Sequence, residues 1–208
     1  KSLMLLAILV WPVVLRAEPL DQRKIAADSK WLVHVDLDAI RDSQSAKHLV
    51  GAWLQTEPVR SHLVGVREAI GLDLVNDLRD VTIYGHEFVP DRGVLVVHAP
   101  IDRSRLMAFL ARQPNYAQRK DDGREVLTWT ERRGGQKHTV FASMRGKDGM
   151  VFSRNAADLA AATAVLDGES ASLAEGESPL KGTVPNGSVL LVRASGLSEA
   201  KLALKSPI

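Results

Sequence analysis

Three side chains that can ligate a metal ion occur at alternate positions early in the sequence: His34, Asp36 and Asp38. Alternate residues of a β-strand leave the same face, so this spacing can bring one imidazole and two carboxylates together. Such nitrogen and oxygen donors suit zinc or manganese, and a metal-dependent hydrolase would use them. The competing interpretation is an ordinary solvated strand face, where alternation alone demands polar residues, and it is the favoured one. We therefore assign no metal or cofactor and keep these three residues as candidate ligands.

Other catalytic patterns are missing from the sequence. It contains no Gly-x-Ser-x-Gly elbow, no His-Glu-x-x-His pair and no glycine-rich phosphate loop. Ser178 and Lys181 match Ser-x-x-Lys, but they lie in a loop rich in glycine and proline rather than at the start of a buried helix. The 208 residues include no cysteine, which excludes disulfides, thiolate metal sites and a cysteine nucleophile. We therefore predict a protein without catalytic activity.

The strand that would carry the candidate ligands is predicted from strict alternation over residues 31–38. Trp31, Val33 and Val35 fall on one face and are expected to be buried, whereas His34 and Asp36 fall on the other. Leu32 shares the second face and indicates that it is partly covered. The candidate ligands are thus expected on the more open side of a strand.

Helix boundaries are indicated by capping residues and breakers. Ser43 or Ser45 can cap a first helix, and a second is expected from Pro58 to Gly71. Asp102 and Asn155 are placed to cap two more. Strands are predicted at 81–86 and 93–99 as a hairpin, then at 125–130, 138–144 and 150–153 as a meander, with a last one at 188–193.

This order of elements predicts an α+β fold, an antiparallel sheet with helices packed on one face. The first part runs β-α-β-β-α-β, the order of a ferredoxin-like split βαβ unit, and a β-meander is added to it. Residues 31–186 form this predicted domain.

The N-terminus has the character of a targeting segment. Residues 3–15 are apolar, Lys1 precedes them and Arg16-Ala17 follows, which predicts a signal peptide over residues 1–17. The apolar run is too short for a membrane span, although an uncleaved anchor or a buried helix are the alternatives. We expect a periplasmic or secreted protein that contacts a membrane only through the leader, if the leader is uncleaved. Residues 18–30 are polar and are predicted to be a linker.

The charge balance argues against a nucleic-acid partner. The chain has 27 basic and 25 acidic residues and a formal net charge of +2. The two basic residues of the predicted leader, Lys1 and Arg16, account for this excess. The remaining chain carries no net charge that would attract a polyanion.

The end of the sequence repeats the pattern of its first predicted strand. At an offset of 157 residues, Val33, Val35 and Leu37 correspond to Leu190, Val192 and Ala194. Self-similarity at a fixed offset is typical of repeated units. Residues 187–208 are therefore predicted to be the start of a second, truncated copy.

Three segments resemble known sequences. They are KWLVHVDLDAIRDS (30–43), AIGLDLVNDLRDVTIYG (69–85) and GMVFSRNAADLAAATAVLDG (149–168). Together they resemble uncharacterised exported bacterial proteins built from duplicated α+β units. The resemblance implies location and architecture, and it brings no catalytic residues. We expect an exported, non-catalytic protein that binds an envelope protein or itself, with the metal-dependent hydrolase as the alternative and a module that senses or inhibits another exported protein as a third possibility.

Overall fold

The computed structural model of the chain describes residues 20–196. Residues 1–19 and 197–208, which include the predicted leader and the end of the predicted second copy, lie outside this range. The α-helices are α1 (Leu37–Asp42), α2 (Gln44–Leu54), α3 (Glu57–Ile70), α4 (Arg103–Leu110) and α5 (Ala156–Leu166). The strands are β1 (Trp31–Asp36), β2 (Asp80–Gly85), β3 (Val94–His98), β4 (Ala117–Asp121), β5 (Arg124–Arg133), β6 (Gln136–Arg145), β7 (Gly149–Ser153) and β8 (Leu190–Ala194).

The eight strands form one sheet in the order β4-β5-β6-β7-β3-β2-β1-β8. Every neighbouring pair is antiparallel. The predicted α+β class with an antiparallel sheet is therefore confirmed.

The arrangement of the first strands differs from the ferredoxin-like prediction. In a split βαβ unit, the two strands joined by the helix are parallel and a third strand lies between them. Here β1 pairs directly and antiparallel with β2, with Trp31 opposite Gly85 and Asp36 opposite Asp80. Helices α1 to α3 thus return the chain to the position beside β1 instead of carrying it across another strand, and no split βαβ unit occurs among residues 20–196.

Helices cover both faces of the sheet, not one as predicted. We call the face that carries Leu32, Val96 and Val151 the lid face; it packs against Leu159 and Ala162 of α5. We call the opposite face the open face; there Leu106 and Leu110 of α4 pack on β5, β6 and β7. Neighbouring residues such as Val126 and Leu127 are buried on opposite sides of one strand, so each side needs its own cover.

The predicted linker and the loop rich in glycine and proline that contains Ser178 form much of the cover over the lid face. Ile25 and Leu20, from the segment expected to be a linker, are buried with Leu173 and Leu180 in the core on the lid face. The two segments also pair with each other, since Leu173 N–H donates to the Ile25 carbonyl at 2.7 Å and Ala26 bridges to Ser172. The linker prediction is wrong for residues 20–30, because their few apolar side chains find a partner segment far away in sequence.

The helix boundaries follow the predicted caps. The side chains of Ser43, Asp102 and Asn155 each accept a hydrogen bond from a backbone N–H in the first turn of α2, α4 and α5. Helix α3 begins at Glu57 beside Pro58 and ends at Gly71, whose φ of 73° is the left-handed conformation that favours glycine. These local signals place the helices without help from the sheet.

Candidate interaction surface and buried polar cluster

The candidate metal ligands do not share an open strand face. His34 is only 3% exposed and lies with Asp36 on the lid face, which is the buried one. Trp31, Val33 and Val35, expected in the core, are half-buried on the open face. The strand ends at Asp36, so Asp38 belongs to helix α1. The prediction of the buried face was wrong. The segments that cover the lid face are distant in sequence and could not be recognised from residues 31–38.

Each candidate ligand has a different role in the fold. His34 Nδ1 lies 2.9 Å from Thr82 Oγ1. Asp36 Oδ1 accepts the Ala39 N–H at 2.8 Å and so caps α1. Asp38 forms an ion pair with Arg41. Among residues 20–196, no group of three or more histidine, aspartate or glutamate side chains is arranged to hold a metal ion.

A histidine–aspartate pair that sequence reasoning missed lies close to His34 and Thr82. His98 Nδ1 is 2.7 Å from Asp80 Oδ1, and Lys24 Nζ is 3.3 Å from His98 Nε2. Because an ammonium can only donate, this geometry assigns the proton of neutral His98 to Nδ1, which donates to Asp80. Asp80 and His98 are opposite each other in the β2–β3 hairpin. That hairpin was predicted, so its register was the signal that could have revealed the pair.

Two cavities adjoin these groups. A small one, about 20 Å³, is lined by His34, Thr82 and His98. Within residues 20–196, Nε2 of His34 has no hydrogen-bond partner. A larger cleft, about 750 Å³, is lined by Asp36, Asp38 and Asp80 together with Lys24 and basic side chains. The structure thus brings Asp36 and Asp38 to one cleft and places His34 in the other cavity.

Burial of His34 makes stability depend on pH. Burial lowers the pKa of His34 below its usual value. Below pH about 6.5 the unfolded chain therefore binds a proton that the folded chain resists, and stability falls as the pH drops toward the lowered pKa. We expect His34→Gln to flatten this decline by up to about 1.4 kcal/mol per pH unit, measured by urea unfolding between pH 7.5 and 5. His48→Gln, a change at an exposed position, is the control and should keep the wild-type slope.

Burial of Asp36 changes the pH dependence of stability in the opposite direction. Burial raises the pKa of Asp36, so protonation of this carboxyl favours the folded state. Its stabilising contribution is complete below the unfolded pKa of 3.8 and is lost as the pH rises through the raised folded value. Both His34→Gln and His48→Gln retain Asp36, so its contribution is present in both variants when their pH slopes are compared.

Tyr84 presents a second buried polar atom without a partner in the described part of the chain. Its hydroxyl accepts and donates no hydrogen bond there, although the residue is buried on the lid face. Burial and the nearby charge of Asp28 raise the pKa of Tyr84. Removing an unsatisfied buried hydroxyl removes its desolvation penalty. We expect Tyr84→Phe to be stabilising by about 1 kcal/mol in urea unfolding, and a loss of similar size would show that the hydroxyl is satisfied.

The open face is covered by α4 at β5, β6 and β7 and becomes exposed toward β2 and β8. One row of side chains crosses seven strands on this face: Val192, Val33, Ile83, Leu95, Phe152, Ala142 and Leu127. Leu127 and Ala142, beneath α4, are fully buried, whereas Ile83 is 39% and Val192 is 61% exposed. Leu190, in the neighbouring row, is 59% exposed. The apolar surface therefore continues beyond the helix that covers it.

A groove of about 510 Å³ runs along this exposed part. Its apolar lining includes Trp31, Ile83 and Trp129, and the last packs edge-on against Phe152 with ring centroids 6.4 Å apart. A charged cluster also lines it, in which Arg154 is paired to Asp91 at 2.5 Å and to Glu131 at 2.6 Å. An apolar centre with a polar rim is the usual anatomy of a protein-binding surface.

Comparison with known proteins identifies no relative of this chain. No protein-family model matches the chain, and neither the search of curated proteins nor that of solved structures found a match. The resemblance to exported bacterial proteins therefore stays a prediction. None of the helices between residues 20 and 196 has both the length and the apolar character of a membrane span.

Proposed function

We propose that this protein is exported to the periplasm or secreted, has no catalytic activity, and binds a protein in the cell envelope through its open face. The observation that carries the proposal is the uncovered part of the apolar row, where Ile83 and Val192 continue the buried core of β5 and β6 into solvent. Monomeric soluble proteins rarely expose contiguous apolar surface of this kind unless it binds something. The charged cluster of Arg154, Asp91 and Glu131 in the groove lining supports a protein partner rather than a membrane surface.

The metal-dependent hydrolase finds less support. His34, Asp36 and Asp38 are engaged by Thr82, by the first turn of α1 and by Arg41. The Asp36 and Asp38 carboxylates thus already serve a helix cap and an ion pair. These side chains therefore stabilise the fold.

The binding surface can be tested by photo-crosslinking in intact cells. A photoreactive residue in place of Ile83 should give discrete crosslinked products in the envelope fraction. The same residue in place of Val64, an exposed apolar position on α3, should give none. Equal products at both positions, or none at either, would contradict binding through the open face.

Export is tested by the mass of the protein recovered from the periplasm or medium. Removal of residues 1–17 should leave a chain that begins at Glu18. Recovery of the chain in the cytoplasm with the leader intact would overturn this part of the proposal. The two measurements test different parts of the proposal: the mass and location test export, and the comparison of Ile83 with Val64 tests the binding surface.

A further inference from the structure

We infer that residues 20–30 are a pH-sensitive cover of the lid face, and that this cover opens when His34 is protonated. Opening uncovers Leu32 and Val96, which share one core with Ile25. The open face, through which the partner is proposed to bind, lies on the other side of the sheet. Acid would thus expose a second apolar surface of the same protein.

His34 lies at the boundary between residues 20–30 and the sheet. The small cavity that His34 lines, about 20 Å³, also has Leu20, Lys24 and Ile25 in its wall. Only 3% of His34 is exposed, and Ile25 is 1% exposed. Residues 20–30 therefore belong to the structure that separates the His34 ring from water.

The His34 ring is hydrogen-bonded at one of its two nitrogens. Nδ1 lies 2.9 Å from Thr82 Oγ1, and Nε2 has no hydrogen-bond partner within residues 20–196. A neutral ring can donate from Nδ1 and leave a lone pair at Nε2, whereas the protonated ring carries an N–H donor at each nitrogen. Protonation under the closed cover therefore creates a buried charged donor without an acceptor, which is costly. Release of the cover gives this donor access to water.

Charged and titratable groups lie near His34 on each neighbouring element. They are Asp36 on β1, Asp80 on β2, His98 on β3, Arg193 on β8, and Asp21 and Lys24 in residues 20–30. Asp36 and Asp80 favour the protonated ring, but Asp36 already caps α1 and Asp80 already accepts a hydrogen bond from His98. Burial outweighs their attraction, so the pKa of His34 is lowered.

The attachment of residues 20–30 allows them to leave without unfolding the sheet. At their end, Lys30 N–H donates to the Gly85 carbonyl of β2 at 2.8 Å. Further from the sheet, the Ile25 carbonyl accepts the Leu173 N–H of a loop at 2.7 Å. Opening about Lys30 breaks this bond to the loop and leaves the strand pairs of the sheet intact. The Leu173 amide therefore reports on the cover.

Amide hydrogen exchange of the purified chain, followed by NMR between pH 7.5 and 5, tests this inference. Protection factors are compared, because intrinsic exchange rates themselves change with pH. An opening that binds one proton becomes about tenfold more favourable per pH unit below the ordinary histidine pKa of about 6.5. We therefore expect the protection factor of the Leu173 amide to fall by up to about 30-fold over this range.

Two other amides and two variants are the controls. The Ala111 N–H, which donates to the Met107 carbonyl at the end of α4, can open without exposing His34 and should keep its protection factor. The Val151 amide lies in the middle of the sheet, so its protection should fall with urea far more steeply than that of Leu173. His34→Gln should abolish the fall at Leu173, and His48→Gln should retain it.

Three results would overturn the inference. They are a Leu173 protection factor that does not change with pH, a fall with the same urea dependence as that of Val151, and an equal fall in folded His34→Gln. The second would assign the effect to global unfolding, and the third to another titrating group. If His34→Gln does not fold, the comparison of Leu173 with Ala111 and Val151 in the unaltered chain still decides.

Discussion

Replacing Ile25 by alanine is expected to lower the free energy of unfolding by about 2–5 kcal/mol. Ile25 is 1% exposed and packs with Leu32 and Leu173 in the core on the lid face. Truncation removes buried methyl groups and leaves a cavity that neighbouring residues fill only in part. The loss would be large for a residue in a segment whose composition predicts a linker.

Urea unfolding of the chain from Glu18 onward, followed by circular dichroism, measures this effect. Ile83→Ala is the matched control, because the same side chain on the open face is exposed to water. That control should change the free energy of unfolding by less than about 1 kcal/mol. Equal effects at the two positions would show that residues 20–30 do not pack as described.

Replacing Asp158 by alanine is also expected to be destabilising, by about 2 kcal/mol, because it removes charge-assisted hydrogen bonds of a buried carboxylate. The side chain is 3% exposed and both its oxygens bind Arg92, Oδ2 to Nε at 3.0 Å and Oδ1 to a terminal nitrogen at 2.9 Å. It also lies in the first turn of α5, where a negative charge is favourable. Its loss leaves the guanidinium without its principal partner and removes a charge from the helix start.

Glu87→Ala provides the comparison at the same arginine. Glu87 Oε2 lies 3.3 Å from Arg92, but its side chain is well exposed, so its removal should have an effect of less than about 1 kcal/mol. The double variant Arg92→Met/Asp158→Ala should lose less than the sum of its single changes, because neither partner is then left alone. Strict additivity in thermal or urea unfolding would argue against coupling between Arg92 and Asp158.

Local signals predicted the elements well. Ser43, Asp102 and Asn155 cap helices because their short polar side chains reach backbone N–H groups within the same turn. Gly71 ends α3 because the backbone there turns left-handed. The β2–β3 hairpin forms where two apolar runs are separated by a short polar turn. Each of these depends on contacts between residues close together in sequence.

The candidate site was predicted less well, for a reason visible at His34. Alternation placed it with Asp36 on one side of β1, which is correct, but gave no information on which side would be covered. The cover comes from residues 20–30 and 169–187, which meet above the strand although they are far apart in the chain. The His98–Asp80 pair likewise required the register of a hairpin, not a motif in consecutive residues.

The sequence by itself determined the α+β class, most helix limits and the absence of thiol chemistry. These depend on residue types and short-range periodicity. Only the tertiary structure decided the strand order, the burial of His34 and Asp36, and the bare end of the open face. Those follow from which distant segments meet, because burial is set by the whole surface that packs over a strand and not by the strand's own alternation.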